Sequence, residues 1–352
     1  MKLSCTQENL AHGLQIVNHL ASRNTSLPIL NNVLLEAEDG VLRLTTTNLE
    51  IGIKCLVRGK IETKGSFTVQ AKLLADYVAL LPQDKIDMEL LDNQLQIKCG
   101  SYKTKIRGVA AEEFPLIPSF EKKHTAQVKI PEFKKALGQV LFAVAADETR
   151  PEISGVFFSF KGGKLTLAAT DSYRLAEKVI TLVSGPASDL SVIIPARTLM
   201  ELGRTLQEGQ DENLLEISFS VNQAMFSLES VNIVSRLIEG QYPNYQDVIP
   251  NKFRTEAVLA TQQFAKLVKT ASLFCRAGIN DVSLKLSEKS KEIEVFSANS
   301  QLGENASRAP VEMDGGYNEI VFNFRYLLDG LANIDHDQVE FKLIDANSPG
   351  SN

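Results

Sequence analysis

Ala169-Thr170-Asp171-Ser172-Tyr173-Arg174-Leu175-Ala176 is the stretch from which the architecture of this chain is read. Ahead of it lie an apolar run over 155–160, a Lys161-Gly162-Gly163-Lys164 turn and a second apolar run over 165–168. A Gly-Gly pair between two such runs predicts a hairpin, because its central residues need positive φ. The octapeptide therefore sits where a strand ends and the chain must turn. Thr170 and Asp171 can cap that turn with side-chain oxygens. Tyr173, Arg174 and Leu175 then offer stacking, charge and apolar surface within three residues. By itself this is an ordinary polar turn; its weight comes from recurring surroundings.

Around it, three passes of one order are visible. Apolar residues at Leu10, Leu14, Val17 and Leu20 predict a helix, followed by strands over 33–37 and 41–48 joined at Asp39-Gly40. A second helix runs from Ala71 to Leu81, then strands over 86–90 and 95–97 meet at Asp92-Asn93, and Phe114-Pro115 and Pro118 close the unit. Glu121-Lys122-Lys123 reads as a linker, with His124 in it. The second pass opens at Ile130 with Phe133, Leu137, Val140 and Leu141, and continues through the hairpin into a helix with Leu199, Leu202 and Leu206. Strands over 214–219, 224–228 and 231–238 follow, and Tyr242-Pro243-Asn244-Tyr245 closes it. A third pass starts at Thr261, with strands over 281–286 and 292–297 and a helix through Tyr326, Leu327, Leu328 and Leu331.

Corresponding points keep near-constant spacing. Thr47-Asn48, Thr170-Asp171 and Ala298-Asn299 are 123 and 128 residues apart, and Lys72, Arg197 and Arg325 open their helices 125 and 128 apart. The expectation is an α+β protein of three repeated domains, 1–123, 124–250 and 251–352, each with two helices packed on antiparallel sheet. By comparison within the chain the third copy ends roughly twenty residues early, and 348–352 reads as an interrupted loop.

The chain has 352 residues, enough for two or three domains, and a net charge of −6, which argues against gripping nucleic acid by overall attraction. Cys5, Cys55, Cys99 and Cys275 are scattered, with no metal-binding spacing, as suits a reducing compartment. A strand-like 2–6 directly after Met1 and the lack of a long apolar run lead us to expect a cytoplasmic protein without membrane attachment. Phosphate-loop, dinucleotide, nucleophile-elbow and zinc-protease motifs are missing, so neither cofactor nor metal is expected, and no catalysis. Basic residues recur instead on the helices: Lys72, Lys134, Lys135, Arg197, Arg204, Lys266, Lys269 and Arg325, with Arg23 and Arg150 in loops after first helices. Each is ordinarily a solvated side chain; their recurrence suggests a shared surface able to hold phosphates without reading sequence.

The threefold order, with 170–176, Leu27-Pro28-Ile29-Leu30, Phe142-Ala143-Val144, Glu148-Thr149-Arg150-Pro151, Val192-Ile193-Ile194-Pro195 and 240–245, resembles the bacterial DNA polymerase III β subunit family, the sliding clamps. The resemblance implies two protomers closing head-to-tail into a ring around duplex DNA, helices lining the hole, sheets outside, and no catalytic activity. It implies a homodimer with Leu273 and Phe274 facing Thr104 and Ile106, and Arg23, Lys72, Arg150 and Arg197 facing DNA. A pocket for short peptides of the polymerase catalytic subunit and clamp loader falls on Ile153, Thr170, Ser172, Tyr173, Arg174, Leu175, Pro243 and Val248. Tyr173 replaces the commoner histidine, and the family's final Met-Pro-like strand, the pocket's other side, has no counterpart here. Two other readings compete: a protein-interaction scaffold without DNA, and a hydrolase or transferase using Asp171 and Arg174, which lacks a nucleophile-base pair.

Overall fold

The computed structural model describes residues 1–21, 27–115, 120–147, 149–206, 213–276 and 278–351. Each of the six helices among them follows a strand without an intervening loop. Lys2–Thr6 leads into α1 (Gln7–Asn18), Gly65–Gln70 into α2 (Ala71–Ala79) and His124–Lys129 into α3 (Ile130–Leu141). Leu190–Pro195 leads into α4 (Ala196–Thr205), Thr255–Ala260 into α5 (Thr261–Ser272) and Asn318–Asn323 into α6 (Phe324–Leu331). Successive helices start 59 to 66 residues apart, so the repeat near 125 is itself a doubled strand-helix unit. That inner period was not legible in the sequence, because the half-repeats share a hydrophobic pattern but few residues, such as Leu10-Ala11 of α1 and Leu74-Ala75 of α2.

Local chemistry explains the switch from strand to helix. At α1 the Thr6 hydroxyl accepts from the Asn9 amide (3.3 Å), and at α6 the Asn323 side chain accepts from the Arg325 amide (3.0 Å), satisfying donors that a helix start leaves open. Leu10, Leu14 and Val17 of α1 are fully buried, as their spacing predicts. The hairpin turns also form as expected. Asp39-Gly40, Asp92-Asn93 and Gly162-Gly163 all have positive φ, between 47° and 82°.

The chain divides into two compact units, 1–137 with 145–169 and 178–241, and 138–144 with 170–177 and 242–352. In the first, thirteen strands form one sheet. From one edge its order is His124–Lys129, Leu214–Phe219, Gln223–Leu228, Val231–Arg236, Ile51–Arg58, Val41–Thr47, Asn32–Glu38, Gly65–Gln70, Tyr102–Val109, Gln94–Cys99, Lys85–Leu91, Lys2–Thr6 and Lys60–Thr63. The first two repeats therefore share a sheet, joined antiparallel where Ile233 lies opposite Ile53. His124 belongs to that sheet and not to a linker: it opens an edge strand paired with Phe219, and Lys122 and Lys123 are tied to Glu216 and the Phe219 carbonyl.

In the second unit, strands Glu312–Gly315, Thr255–Ala260 and Gln338–Leu343 form one sheet, and Gly303–Pro310, Glu292–Asn299, Asp281–Ser287 and Asn318–Asn323 another. Phe264 of α5 and Phe341 meet at 5.6 Å between ring centroids, among Val268, Leu284, Val295 and Leu331. Each such buried side chain contributes about 1.5–3 kcal/mol. Residues 348–351 are less loose than the sequence suggested, since Ser351 exchanges both backbone hydrogen bonds with Lys342 (2.7 and 2.9 Å).

Candidate functional site

The turn after Lys164–Thr170 is closed by its own side chains. Thr170 Oγ1 donates to the Arg174 carbonyl (2.7 Å) and accepts from the Ser172 amide (3.1 Å). Asp171 Oδ1 accepts from the amides of Tyr173 and Arg174, both at 3.0 Å. Ser172 is thereby held at φ 76°, a conformation that residues other than glycine seldom adopt.

An internal copy of this geometry exists. Thr47 Oγ1 donates to the Ile51 carbonyl (2.8 Å) and accepts from the Leu49 amide (3.0 Å), Asn48 Oδ1 accepts from Glu50 and Ile51, and Leu49 has φ 77°. The repeat inferred from Thr47-Asn48 and Thr170-Asp171 is thus a repeat of hydrogen bonds. Asn48 doing in one copy what Asp171 does in the other yields a prediction. Asp171→Asn should retain the amide bonds, whereas Asp171→Ala should cost about 1.5–3 kcal/mol, the range for hydrogen bonds to a charged acceptor. Urea unfolding checks it; an equal midpoint shift for both variants would contradict the turn's assigned role.

Leu175 opens strand Leu175–Thr181 and is half-buried, while Tyr173 is 83% exposed. Val248, 62% exposed, ends the short 3-10 helix Tyr245–Val248. Tyr245 fastens that segment by a hydrogen bond to Glu177 on the Leu175 strand, and packs edge-to-face on buried Tyr242 at 6.4 Å. Burial, and then the Glu177 carboxylate, push the Tyr245 phenol well above its usual range; burial pushes Tyr242 up to about 12. Both hydroxyls stay protonated at neutral pH. Pro243, half-buried, lies between them in sequence. Thr170, Ser172, Tyr173, Arg174, Leu175, Pro243 and Val248 all belong to the second compact unit. Ile153 does not: it lies in the first, at the end of Pro151–Ile153, and with 3% exposure has no surface to offer a ligand.

Arg174 is engaged within its own unit. Instead of facing a ligand freely, its guanidinium bonds Asp171 Oδ2 (3.0 Å) and Asp329 Oδ2 of α6 (2.5 Å), and lies over the rings of Tyr326 (4.7 Å) and Phe142 (5.5 Å). Asp329 and Tyr326 were not among the predicted residues, and nothing local in the sequence marks a partner 155 positions away.

The residues of the other predicted sets differ in exposure. Lys72, Arg150 and Arg197 are exposed; Lys72 pairs with Asp76 (2.7 Å) and Arg150 with Glu152 (3.3 Å), and Arg23 lies outside the described residues, as does Glu148. Leu273, capping α5, is 70% exposed and Phe274 is half-buried. Thr104 is half-buried, but Ile106 is 5% exposed and packs inward opposite Leu95, so its side chain is not available to a second molecule. What Tyr102–Val109 does offer is backbone: it pairs with Gln94–Cys99 from Tyr102 to Arg107, but with Gly65–Gln70 only at Gly108 and Val109. Lys98, Lys103, Lys105 and Arg107 share one face beside that open edge. Among the described residues no cluster suited to a metal ion occurs, and no helix is long and apolar enough to cross a membrane.

Comparison with known proteins matches three successive models of the DNA polymerase III beta subunit: the N-terminal domain over residues 1–118, the central domain over 127–244 and the C-terminal domain over 246–351. Similar curated proteins include the beta sliding clamps of Synechocystis sp. (31% identical over 371 residues, 99% of this chain and 94% of that one) and Bacillus subtilis (29% over 360 residues, 99% and 94%). Among solved structures, the DNA polymerase sliding clamp from Bacillus subtilis superposes with a TM-score of 0.94 at 28% identity, covering 99% of this chain and 94% of that one. A Pseudomonas aeruginosa sliding clamp bound to griselimycin gives the same score, identity and coverage.

Proposed function

The chain belongs to the bacterial DNA polymerase III β subunit family, the β sliding clamps, and we propose that it closes with a second copy into a ring that tethers its polymerase to duplex DNA. The clamp is a non-catalytic processivity factor. The observation that carries the reading is the ordered match of all three domain models along one chain whose strand-helix unit recurs six times. We assign the repeats to 1–123, 124–250 and 251–352.

A head-to-tail pair of such chains makes two identical contacts and closes. The open backbone edge at Tyr102–Val109, with its own Lys103, Lys105 and Arg107 and with Lys98 on the neighbouring strand, supports placing one side of the contact there. The exposed apolar surface of Leu273 supports the other side, near Gly303–Pro310, which is likewise an edge strand. A ring holds DNA by topology, so an overall charge of −6 is no obstacle: it discourages non-specific binding outside while cations facing the hole keep the duplex centred. Partners are the polymerase catalytic subunit and the clamp loader, through short apolar-aromatic peptides seated at Leu175, Pro243 and Val248. The cytoplasm, where those partners work, is the assigned location.

Retention on circular DNA, lost on linearisation, tests the ring. A further prediction concerns its lining. Changing Lys72, Arg150 and Arg197 to glutamine, with Arg23, should flatten the salt dependence of DNA association by about one unit of slope for each phosphate no longer neutralised. The pairs with Asp76 and Glu152 do not forbid this, because exposed pairs are worth only about 0–1 kcal/mol and can open. An unchanged slope would remove these side chains from the DNA-facing set.

A further inference from the structure

Two turns in this chain have the same backbone and different anchors. At 47–51 the fifth residue is Ile51, 2% exposed, and the turn is fixed by burying it. At 170–174 the fifth residue is Arg174, fixed instead by two carboxylates and two rings. One carboxylate, Asp171, is part of the turn and moves with it. The other, Asp329, is on α6, and is the only one of the two that ties the turn to a separate element.

Asp329 is in turn well placed to act as a fixed point. Its carbonyl accepts from Asn333 Nδ2 (2.8 Å), and the Asn333 carbonyl accepts from Gln139 Nε2 on α3 (3.0 Å). Tyr326, one turn earlier on the same helix, supplies the ring beneath the guanidinium. A planar guanidinium can satisfy two carboxylates and stack on a ring together, which an ammonium cannot. Leu175, the apolar anchor of the pocket, directly follows Arg174, so any freedom of Arg174 passes to it through one peptide bond.

We propose that Arg174 and Asp329 form a latch that positions the 170–175 turn, and that Asp329, without touching the ligand, sets how tightly the pocket holds short apolar-aromatic peptides. The latch rests on the peptide-pocket reading for its consequence but not for its existence. Arg174 is accordingly a positioning residue, held at 19% side-chain exposure. Its charge is used up within the chain, so acidic groups of a ligand are not its targets.

The experiment compares the wild-type protein with Asp329→Asn, Asp329→Glu, Arg174→Lys and Leu175→Asp in two measurements. One is amide hydrogen exchange of 172–175; the other is anisotropy titration of a fluorescein-labelled hexapeptide carrying leucine and phenylalanine. Asp329→Asn and Arg174→Lys should speed exchange in the turn and weaken the peptide, each by about two- to fivefold, the upper part of the span for removing one partly exposed ion pair. Asp329→Glu should restore both to within about twofold, which a general loss of packing would not allow. Unchanged exchange in Asp329→Asn overturns the latch whatever the peptide does. Faster exchange with wild-type peptide affinity overturns its role in binding. If the wild type fails to bind the peptide, or Leu175→Asp binds it equally well, the pocket reading falls, and exchange alone decides the latch.

Discussion

Replacing Leu273 and Phe274 together by alanine is expected to turn a dimeric ring into monomers that remain folded. Leu273 sits where α5 ends, its amide bonded to the Thr270 carbonyl, and shows 70% of its surface to solvent. Phe274 follows, bonded to the Ala271 carbonyl and half-buried. An exposed leucine beside a half-exposed phenylalanine loses little within its own chain on truncation, yet is what an apolar interface centre uses. Removing both should cost about 3 kcal/mol at each interface, from apolar surface no longer buried. In the proposed head-to-tail ring the two interfaces are equivalent, so the loss would count twice. Sedimentation equilibrium at decreasing concentration should show monomers for the variant where the wild type is still dimeric. A variant that stays dimeric at nanomolar concentration would sink the assignment. Ile106→Ala is the informative contrast. That side chain is buried in its own unit, so its truncation should lower unfolding stability, by about 2–5 kcal/mol, before it affects association.

Leu175→Asp carries the second large effect, loss of peptide binding. The half-buried leucine opens its strand directly after the side-chain-closed turn, and Val248 is 62% exposed on a segment fastened to the same strand through Tyr245 and Glu177. These two supply apolar surface that a peptide anchor can cover. A carboxylate at 175 removes about 1.5–3 kcal/mol of burial and adds the cost of desolvating a charge, together more than about a hundredfold in affinity. Calorimetric titration with one apolar-aromatic peptide should show no measurable heat for Leu175→Asp and a weakened curve for Val248→Asp. Undiminished binding in both would place the groove elsewhere. Ile153→Ala should instead reduce stability and leave affinity near that of the wild type, because Ile153 is spent in the core.

Features that depend on near neighbours could be read from the amino acids alone. Gly162-Gly163, Asp39-Gly40 and Asp92-Asn93 specify turns because positive φ is a property of one or two residues. Thr170 and Asp171 specify a capped turn because their oxygens reach amides two and three residues on. Helix stripes such as Leu10-Leu14-Val17 report a period that backbone hydrogen bonding imposes locally. The threefold spacing is legible for the same reason: copies of a local pattern can be compared without knowing where they lie.

Features that depend on which distant strand or helix arrives were settled only by the fold. Gly303–Pro310, with few apolar residues, is a strand only because Glu292–Asn299 pairs with it over its whole length. His124 belongs to a sheet because Phe219 lies opposite. Ile106 and Ile153 look in sequence like any aliphatic residue open to a ligand, and burial alone removes them from that role. Arg174 is the sharpest case. Its charge and planar fork are evident from its identity, but that they would be consumed by Asp171, Asp329 and the Tyr326 ring was fixed only when α6 came to lie beside the turn. A side chain's chemistry is local, whereas its partners are set by contacts between segments whose separation along the chain carries no signal.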